Sequence, residues 1–306
     1  MKKPKTIDEL SKMKYSGKPY WGPFLRPKEK VILVAAPKLG KTLFGMQLAA
    51  SLACGIDFLD LKTCQTKVMY LNLEMAEEMI YTRINDIADS IRAPYDVLKK
   101  NLFVISDSKL RLDSKSYRDY VIKEVKNTYT KIIFLDPLQM AMKGSDSNEK
   151  DLKQFIKGVD KIIRDTGVSF FIIHHTPKVI KAKDPVYAPR GHSILSGWAD
   201  AILHLYKGKL IAKARASDIE PIKTSLKYPK WYAGKWKTEV ERVQVEMKSI
   251  LEKSPRKKKA RIKLQRLVKS SEWAFKEALK RLQEQGMIKI KPMKGNQYNQ
   301  KIIVLV

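Results

Sequence analysis

Residues 35–42 read Ala35-Ala36-Pro37-Lys38-Leu39-Gly40-Lys41-Thr42, where a short apolar strand, Val31–Ala35, gives way to a helical pattern over Thr42–Ala53. Phosphate binding needs backbone N–H groups and a helix N-terminus facing the anion, a lysine for the outer phosphates and a hydroxyl for Mg2+. Gly40, Lys41 and Thr42 supply these, so the stretch is a Walker A loop with one deviation: Ala35 stands at the first glycine position. Alanine serves there if it keeps a negative φ. A chance Gly-Lys-Thr in a helix cap is the plain alternative, and the strand-to-helix context speaks against it. Ala36, Pro37, Lys38, Leu39, Gly40, Lys41, Thr42 and Leu43 are the expected nucleotide contacts, with Thr42 also on the metal.

Outward from this loop, β-branched runs alternate with helical patterns from about Lys30 to Ala216, the signature of an α/β fold with a mostly parallel sheet. The runs predict strands at Val31–Ala35, Lys67–Leu73, Leu102–Ile105, Lys131–Leu135, Val168–His174, Ala201–Tyr206 and Leu210–Ala214. Apolar positions at helical spacing predict helices at Thr42–Ala53, Ala76–Asp89, Lys115–Thr128 and Lys150–Thr166. Only Lys207-Gly208-Lys209 separates the last two strands, which should form an antiparallel hairpin at the sheet edge. Met142–Glu149 and Thr176–Ser193 read as long loops, and loops of that kind inside a domain are usually functional or mobile.

Three strand ends carry candidate chemistry. Lys131-Ile132-Ile133-Phe134-Leu135-Asp136 ends in a carboxylate positioned to enter a Mg2+ shell, and the crevice of such sheets lies at the strands' carboxyl ends. Tyr70-Leu71-Asn72-Leu73-Glu74 ends in an acid that reads either as a general base or as a favourable charge ahead of the next helix, beside Glu77 and Glu78. Phe170-Phe171-Ile172-Ile173-His174-His175 ends in two imidazoles, either of which can sense a phosphate; the alternative is a structural role. On the last predicted hairpin Lys213 and Arg215 share a face. They read as cations donated to a neighbouring subunit's site or as charges guarding an exposed edge.

Net charge is +29, a field that draws polyanions before any specific contact forms, although a lysine-rich solvating surface gives the same count. Sixteen Lys/Arg against three Asp/Glu fall between Lys253 and Val306, so +13 of the total sits in the C-terminal sixth of the chain. The organisation expected is an N-terminal segment 1–19, an ATPase core 20–245, a basic linker 246–259 around Glu252–Lys259, and a small domain 260–306. Two helices, Ala260–Lys269 and Trp273–Gln285, followed by strands Met287–Lys291 and Lys301–Val306, suggest a winged helix. Lys276, Lys280 and Arg281 lie off the apolar face of its second helix, turned to phosphates or simply solvated. Two cysteines, Cys54 and Cys64, without Cys/His clusters argue against disulfides and zinc, and no apolar run is long enough to span a membrane. A cytoplasmic location is expected.

Together these motifs resemble the AAA-type, RecA-like hexameric ATPases typified by RepA-type plasmid replicative helicases and, more distantly, DnaB-like helicases. The resemblance runs from about Tyr20 to Arg215 and rests on the Walker A loop, Leu71-Asn72-Leu73-Glu74-Met75, Phe134-Leu135-Asp136-Pro137-Leu138, Ile172-Ile173-His174-His175-Thr176 and Arg190-Gly191-His192-Ser193. It implies ATP and Mg2+ as cofactors, Lys41 and Thr42 on phosphate and metal, Glu74 as base, Asp136 on the metal, His174 or His175 as sensor, and Arg215 with Lys213 as a finger acting in trans. Lys178, Lys181, Lys183 and Arg190 would grip single-stranded DNA in the channel of a hexameric ring. The resemblance departs at Ala35 and at His192, where a small residue is commoner. The expectation is a ring helicase of plasmid or phage replication, partnered by an initiator or primase, its last domain on duplex DNA. A filament-forming recombination or repair ATPase, or an ATP-switched loader or regulator, are the alternatives.

Overall fold

Apolar strands that bury both faces, with helices returning between them, fold the first part of the chain into a wound sheet. In the computed structural model, which describes residues 3–11, 18–175, 192–206, 208–214, 221–233, 239–254, 258–268, 272–292 and 301–305, the chain divides into two units, residues 1–235 and 236–306. The first holds α1 (Ile7–Ser11), β1 (Lys30–Ala35), α2 (Lys41–Cys54), β2 (Val68–Asn72), α3 (Glu77–Ile91), α4 (Tyr95–Asn101), β3 (Leu102–Ser106), α5 (Lys115–Thr128) and β4 (Ile132–Asp136). A 3-10 turn, α6 (Glu149–Thr166), β5 (Ser169–His175), α7 (His192–Trp198), β6 (Ala201–Tyr206), β7 (Lys209–Ala214), β8 (Ile222–Lys227) and β9 (Lys230–Ala233) complete it.

The sheet runs β3-β2-β4-β5-β1-β6-β7-β8-β9. Its first six strands are parallel and the last three antiparallel. Strand alternation splits the core into two layers. Leu33, Tyr70, Phe134 and Phe171 face α2, while Ile32, Leu71, Leu135 and Ile172 face Val121, Phe155 and Val159 of α5 and α6. Trp21 and Phe24 join Phe44 and Phe58 in the α2 layer, so the core takes in the chain from Tyr20 onward. Two glycines let helices approach. A Cβ at Gly45 would lie 2.6 Å from Ile173 Cδ1 and one at Gly158 only 2.1 Å from the Leu112 carbonyl, so α2 and α6 pack closer than an alanine permits.

Two expectations are corrected here. The β6–β7 hairpin forms in antiparallel register, Ala201 opposite Ala214, but it is not the sheet edge. β7 pairs on through Lys209 and Leu210 with β8, and β8 with β9. Beyond Ala216 charged residues interrupt the apolar pattern, so no clean alternation marks this hairpin in the sequence. The proposed linker 246–259 is also overturned in part. α8 (Glu239–Glu252) runs into it, and Val243, Met247 and Leu251, spaced four apart, are fully buried in the second unit's core. That four-residue spacing is a helical stripe, and the basic, proline-containing stretch begins only after it.

The second unit continues through β10 (Lys258–Ala260), α9 (Arg261–Leu267), α10 (Glu272–Glu284), β11 (Ile288–Pro292) and β12 (Lys301–Leu305). The strands form a sheet in the order β10-β12-β11. Phe275, Leu279 and Leu282 of α10 pack against Met247 and Leu251 of α8, and Ile288 and Ile303 close the core from the sheet. The long loop at 142–149 is pinned rather than open. Lys143 N–H donates to Asp113 Oδ2 at 2.8 Å, Ser145 N–H to Asp151 Oδ2 at 3.1 Å, and Asn148 Oδ1 caps α6. Among the described residues no helix is long and apolar enough to cross a membrane.

Candidate functional site

The loop after β1 turns on two left-handed residues, Lys38 (φ 64°) and Gly40 (φ 77°), while Ala35 keeps a negative φ as the last residue of the strand. The unusual alanine therefore sits where no glycine is required. Gly40 ends the turn and α2 begins at Lys41, with no side chain capping its first N–H groups. Those amides and the helix dipole make a local positive end suited to an anion. Pro37, Lys38 and Leu39 are exposed, while Leu43 is half-buried against the α2 core layer.

Lys41 is buried, its side chain folded back over the loop, with Nζ donating to the carbonyls of Ala35 at 2.9 Å and Ala36 at 2.8 Å. Burial pushes its pKa down to about 8, partly offset by the charges of Asp136 and Glu74. Asp136 ends β4 on the same face as α2, beside Asn72 in register on β2. Its Oδ2 accepts a 2.7 Å bond from the Tyr70 hydroxyl and its carboxylate is also bonded by the Thr42 side chain. Burial raises its pKa to about 6, against the lowering effect of those two bonds and of Lys41, and the Glu74 charge adds to the rise. Both charges are thus held in a place that disfavours them, which fits a site whose ligand brings compensating charges of both signs.

Glu74 is exposed at the carboxyl end of β2, within electrostatic reach of Lys41 and Asp136. Asn72 shapes the turn that carries it. Its Oδ1 accepts from Met75 N–H at 3.1 Å and its Nδ2 donates to the Met75 carbonyl at 2.6 Å and to Ser106 Oγ at 2.9 Å. Leu73 N–H donates to the Asp136 carbonyl at 3.0 Å, tying the two strand ends together. Residues 41, 42, 74 and 136, separate in the chain, meet at the carboxyl ends of β1, β2 and β4.

The two histidines part company. His175 is half-buried, in register with Ala35 and on the α2 face; His174 is buried on the other face, level with Val34 and with His204 of β6. Lys213 is exposed and lies opposite Ile202, on the sheet face away from α2. Arg215 lies outside the described residues, as do Lys178, Lys181, Lys183 and Arg190. On α10, Lys276, Lys280 and Arg281 are all exposed, but Arg281 Nε sits 2.9 Å from Glu277 Oε1 and Lys280 Nζ 4.0 Å from Glu284 Oε1. Tyr70 and Asn72 were not singled out from the sequence. A tyrosine inside a fully buried strand needs a partner for its hydroxyl, and that was the legible signal. Among the described residues no cluster of three or more His, Cys, Asp or Glu side chains is placed to hold a metal by itself.

No curated protein matches the chain. Among solved structures it is similar to a DnaB-like replicative helicase, described with its interactions with primase, at 16% identity and a TM-score of 0.50. The similarity covers 69% of this chain and 58% of that one, so the chain spans little more than half of that helicase's length. It shows a shared RecA-like fold. With the phosphate-type loop on β1 and the acidic strand end on β4 in place, a family match over residues 4–180 completes the assignment: the chain belongs to the AAA domain family.

Proposed function

We propose that the protein hydrolyses ATP at this loop and uses the energy to move along single-stranded DNA as a ring, in plasmid or phage replication. One observation carries the reading: Lys41, the Thr42 hydroxyl, the Asp136 carboxylate and Glu74 converge at one end of the sheet, coupled by hydrogen bonding and charge. The α2 amides and Lys41 bind the phosphates, and Thr42 and Asp136 hold Mg2+. When bound, the metal neutralises charge on the transferring phosphoryl group. Glu74 accepts the proton of a water whose oxygen attacks the γ-phosphorus as the bond to the β-phosphate oxygen breaks. A pure ATP switch would not need an acid there, so the exposure of Glu74 beside Lys41 favours turnover. His175 is the better placed of the two histidines to sense the γ-phosphate, because it shares the α2 face.

Lys213 and Arg215 act on a neighbouring subunit's nucleotide, and the loops 142–149 and 176–192, the latter with Lys178, Lys181, Lys183 and Arg190, grip single-stranded DNA in the channel. The similarity to a helicase solved with primase supports a replication role and a primase-type or initiator partner. The second unit is a winged helix on duplex DNA, a reading supported by its order α8-β10-α9-α10-β11-β12 and its net charge. ATP turnover by wild type and Lys41→Ala, with and without single-stranded DNA, tests the proposal. Turnover that rises with DNA and vanishes in the variant is expected. Tight ATP binding without turnover under any condition would leave a switch in place of a motor.

A further inference from the structure

The β8–β9 hairpin does not simply extend the sheet; it folds onto the phosphate loop. Gly40 lies beneath it. A Cβ at that position would come within 2.6 Å of Leu226 Cδ2 and 3.1 Å of Trp231 Cζ2. The Trp231 indole donates to the Gly40 carbonyl at 3.2 Å, the same oxygen that accepts the Phe44 N–H at 2.9 Å. Gln47, one turn further along α2, clasps the Trp231 backbone from both sides: Oε1 accepts its N–H at 2.6 Å and Nε2 donates to its carbonyl at 3.2 Å. The turn is anchored to α3 as well, where the Tyr228 hydroxyl donates to Asp86 Oδ2 at 2.7 Å and Lys230 Nζ to the Ser90 carbonyl at 3.3 Å.

A trans peptide is planar, and its carbonyl and N–H point in opposite directions. An indole that holds the Gly40 carbonyl therefore also sets where the Lys41 N–H points. That amide opens α2 and has no partner within the helix, so it is one of the donors available to a phosphate. The Phe44 N–H holds the Gly40 carbonyl from the helix side, and because glycine at φ 77° leaves the plane soft, the indole supplies a second restraint from the hairpin side. We propose that Trp231 is a positioning residue for the phosphate loop, with Leu226 as its support: the β8–β9 hairpin fixes the Gly40–Lys41 peptide plane and so presets the amide cradle. The hairpin is tied to the loop's own strand through β8, β7, β6 and β1, so a peptide that shifts on phosphate binding pulls on Trp231.

This proposal rests on the phosphate-site reading above. Its test is MgADP and AMP binding to the full chain by calorimetry, for wild type, Trp231→Phe and Leu226→Ala, with tryptophan emission followed in parallel. Phenylalanine keeps the ring contact with Phe44, 5.8 Å between centroids, and loses only the donor. Leu226 is 39% exposed, so its truncation leaves the fold intact. Trp231→Phe should weaken MgADP by about five- to tenfold, the scale of one hydrogen bond, and Leu226→Ala by a smaller factor. AMP, without a β-phosphate, should bind all three alike, and the emission change that MgADP causes in wild type should be lost with Trp231. Wild-type MgADP affinity in both variants would overturn the hairpin's role alone. Failure of wild type itself to bind MgADP would overturn the phosphate-site reading and this proposal with it.

Discussion

At the scale of single residues the site is a conflict held in place by packing. Lys41 and Asp136 are buried together, yet the desolvation of each outweighs what its partner returns. For Asp136 the folded pKa of about 6 lies above the unfolded 3.8. Between those values the folded state keeps the proton that the unfolded chain has lost, so stability falls as pH rises through the window, and the cost persists above it. Asp136→Asn should therefore raise the melting temperature of the ligand-free protein at pH 7 by several degrees while abolishing Mg2+-dependent turnover. Thermal melts at pH 7 and pH 4 check this, because the gain must shrink to a small fraction at the lower pH, which lies close to the unfolded pKa of 3.8. The same titration predicts weaker MgADP binding in acid. A carboxylate must be free to meet the metal, so with a folded pKa of about 6 affinity at pH 5 should be about tenfold below that at pH 7.5. A flat profile across that range would place the metal elsewhere.

Elements decide where such residues can stand. α2 is buried over most of its length, which is how a lysine at its first turn is withdrawn from water. α6 approaches the Leu112 carbonyl so closely that a methyl group at Gly158 has no room. Gly158→Ala should destabilise the first unit by about 1–3 kcal/mol, seen as a lower urea midpoint with an unchanged slope. In the second unit, Met247 of α8 is fully buried in the core shared with α10 and the small sheet. Met247→Ala should cost about 2–4 kcal/mol there and leave MgADP affinity untouched. A loss of nucleotide binding in that variant would contradict two separate cores. At this scale the sequence was readable wherever periodicity was clean: β6 and α5 have the bounds that periodicity predicts, and the other core strands agree to within two residues. It was unreadable in β8 and β9, whose Lys, Thr, Ser and Tyr residues look like loop until Trp231 finds Gln47 and Gly40.

Across the whole molecule, the +29 charge is the dominant field, and it attracts polyanions. Individual cations differ, however. On α10, Lys280 and Arg281 are matched to Glu284 and Glu277, whereas Lys289 and Lys291 stand exposed on one face of β11 with no ion pair among the described residues. Neutralising Lys289 and Lys291 together should flatten the salt dependence of DNA binding, lowering the slope of log affinity against log salt by about 1–2, while the Lys280/Arg281 pair should change it less. Fluorescence anisotropy over a salt series measures both, and equal effects would refute the distinction. The sequence by itself determined the wound α/β core, the strand-to-helix turn that opens α2 and the acidic strand end, because these are written in local periodicity and in short contiguous motifs. Only the tertiary structure decided that Tyr70 holds Asp136, that His175 rather than His174 shares the loop's face, and that a hairpin some 190 residues downstream grips Gly40. Those contacts come from strand register and from the return of a distant segment, and no local pattern of residues encodes either.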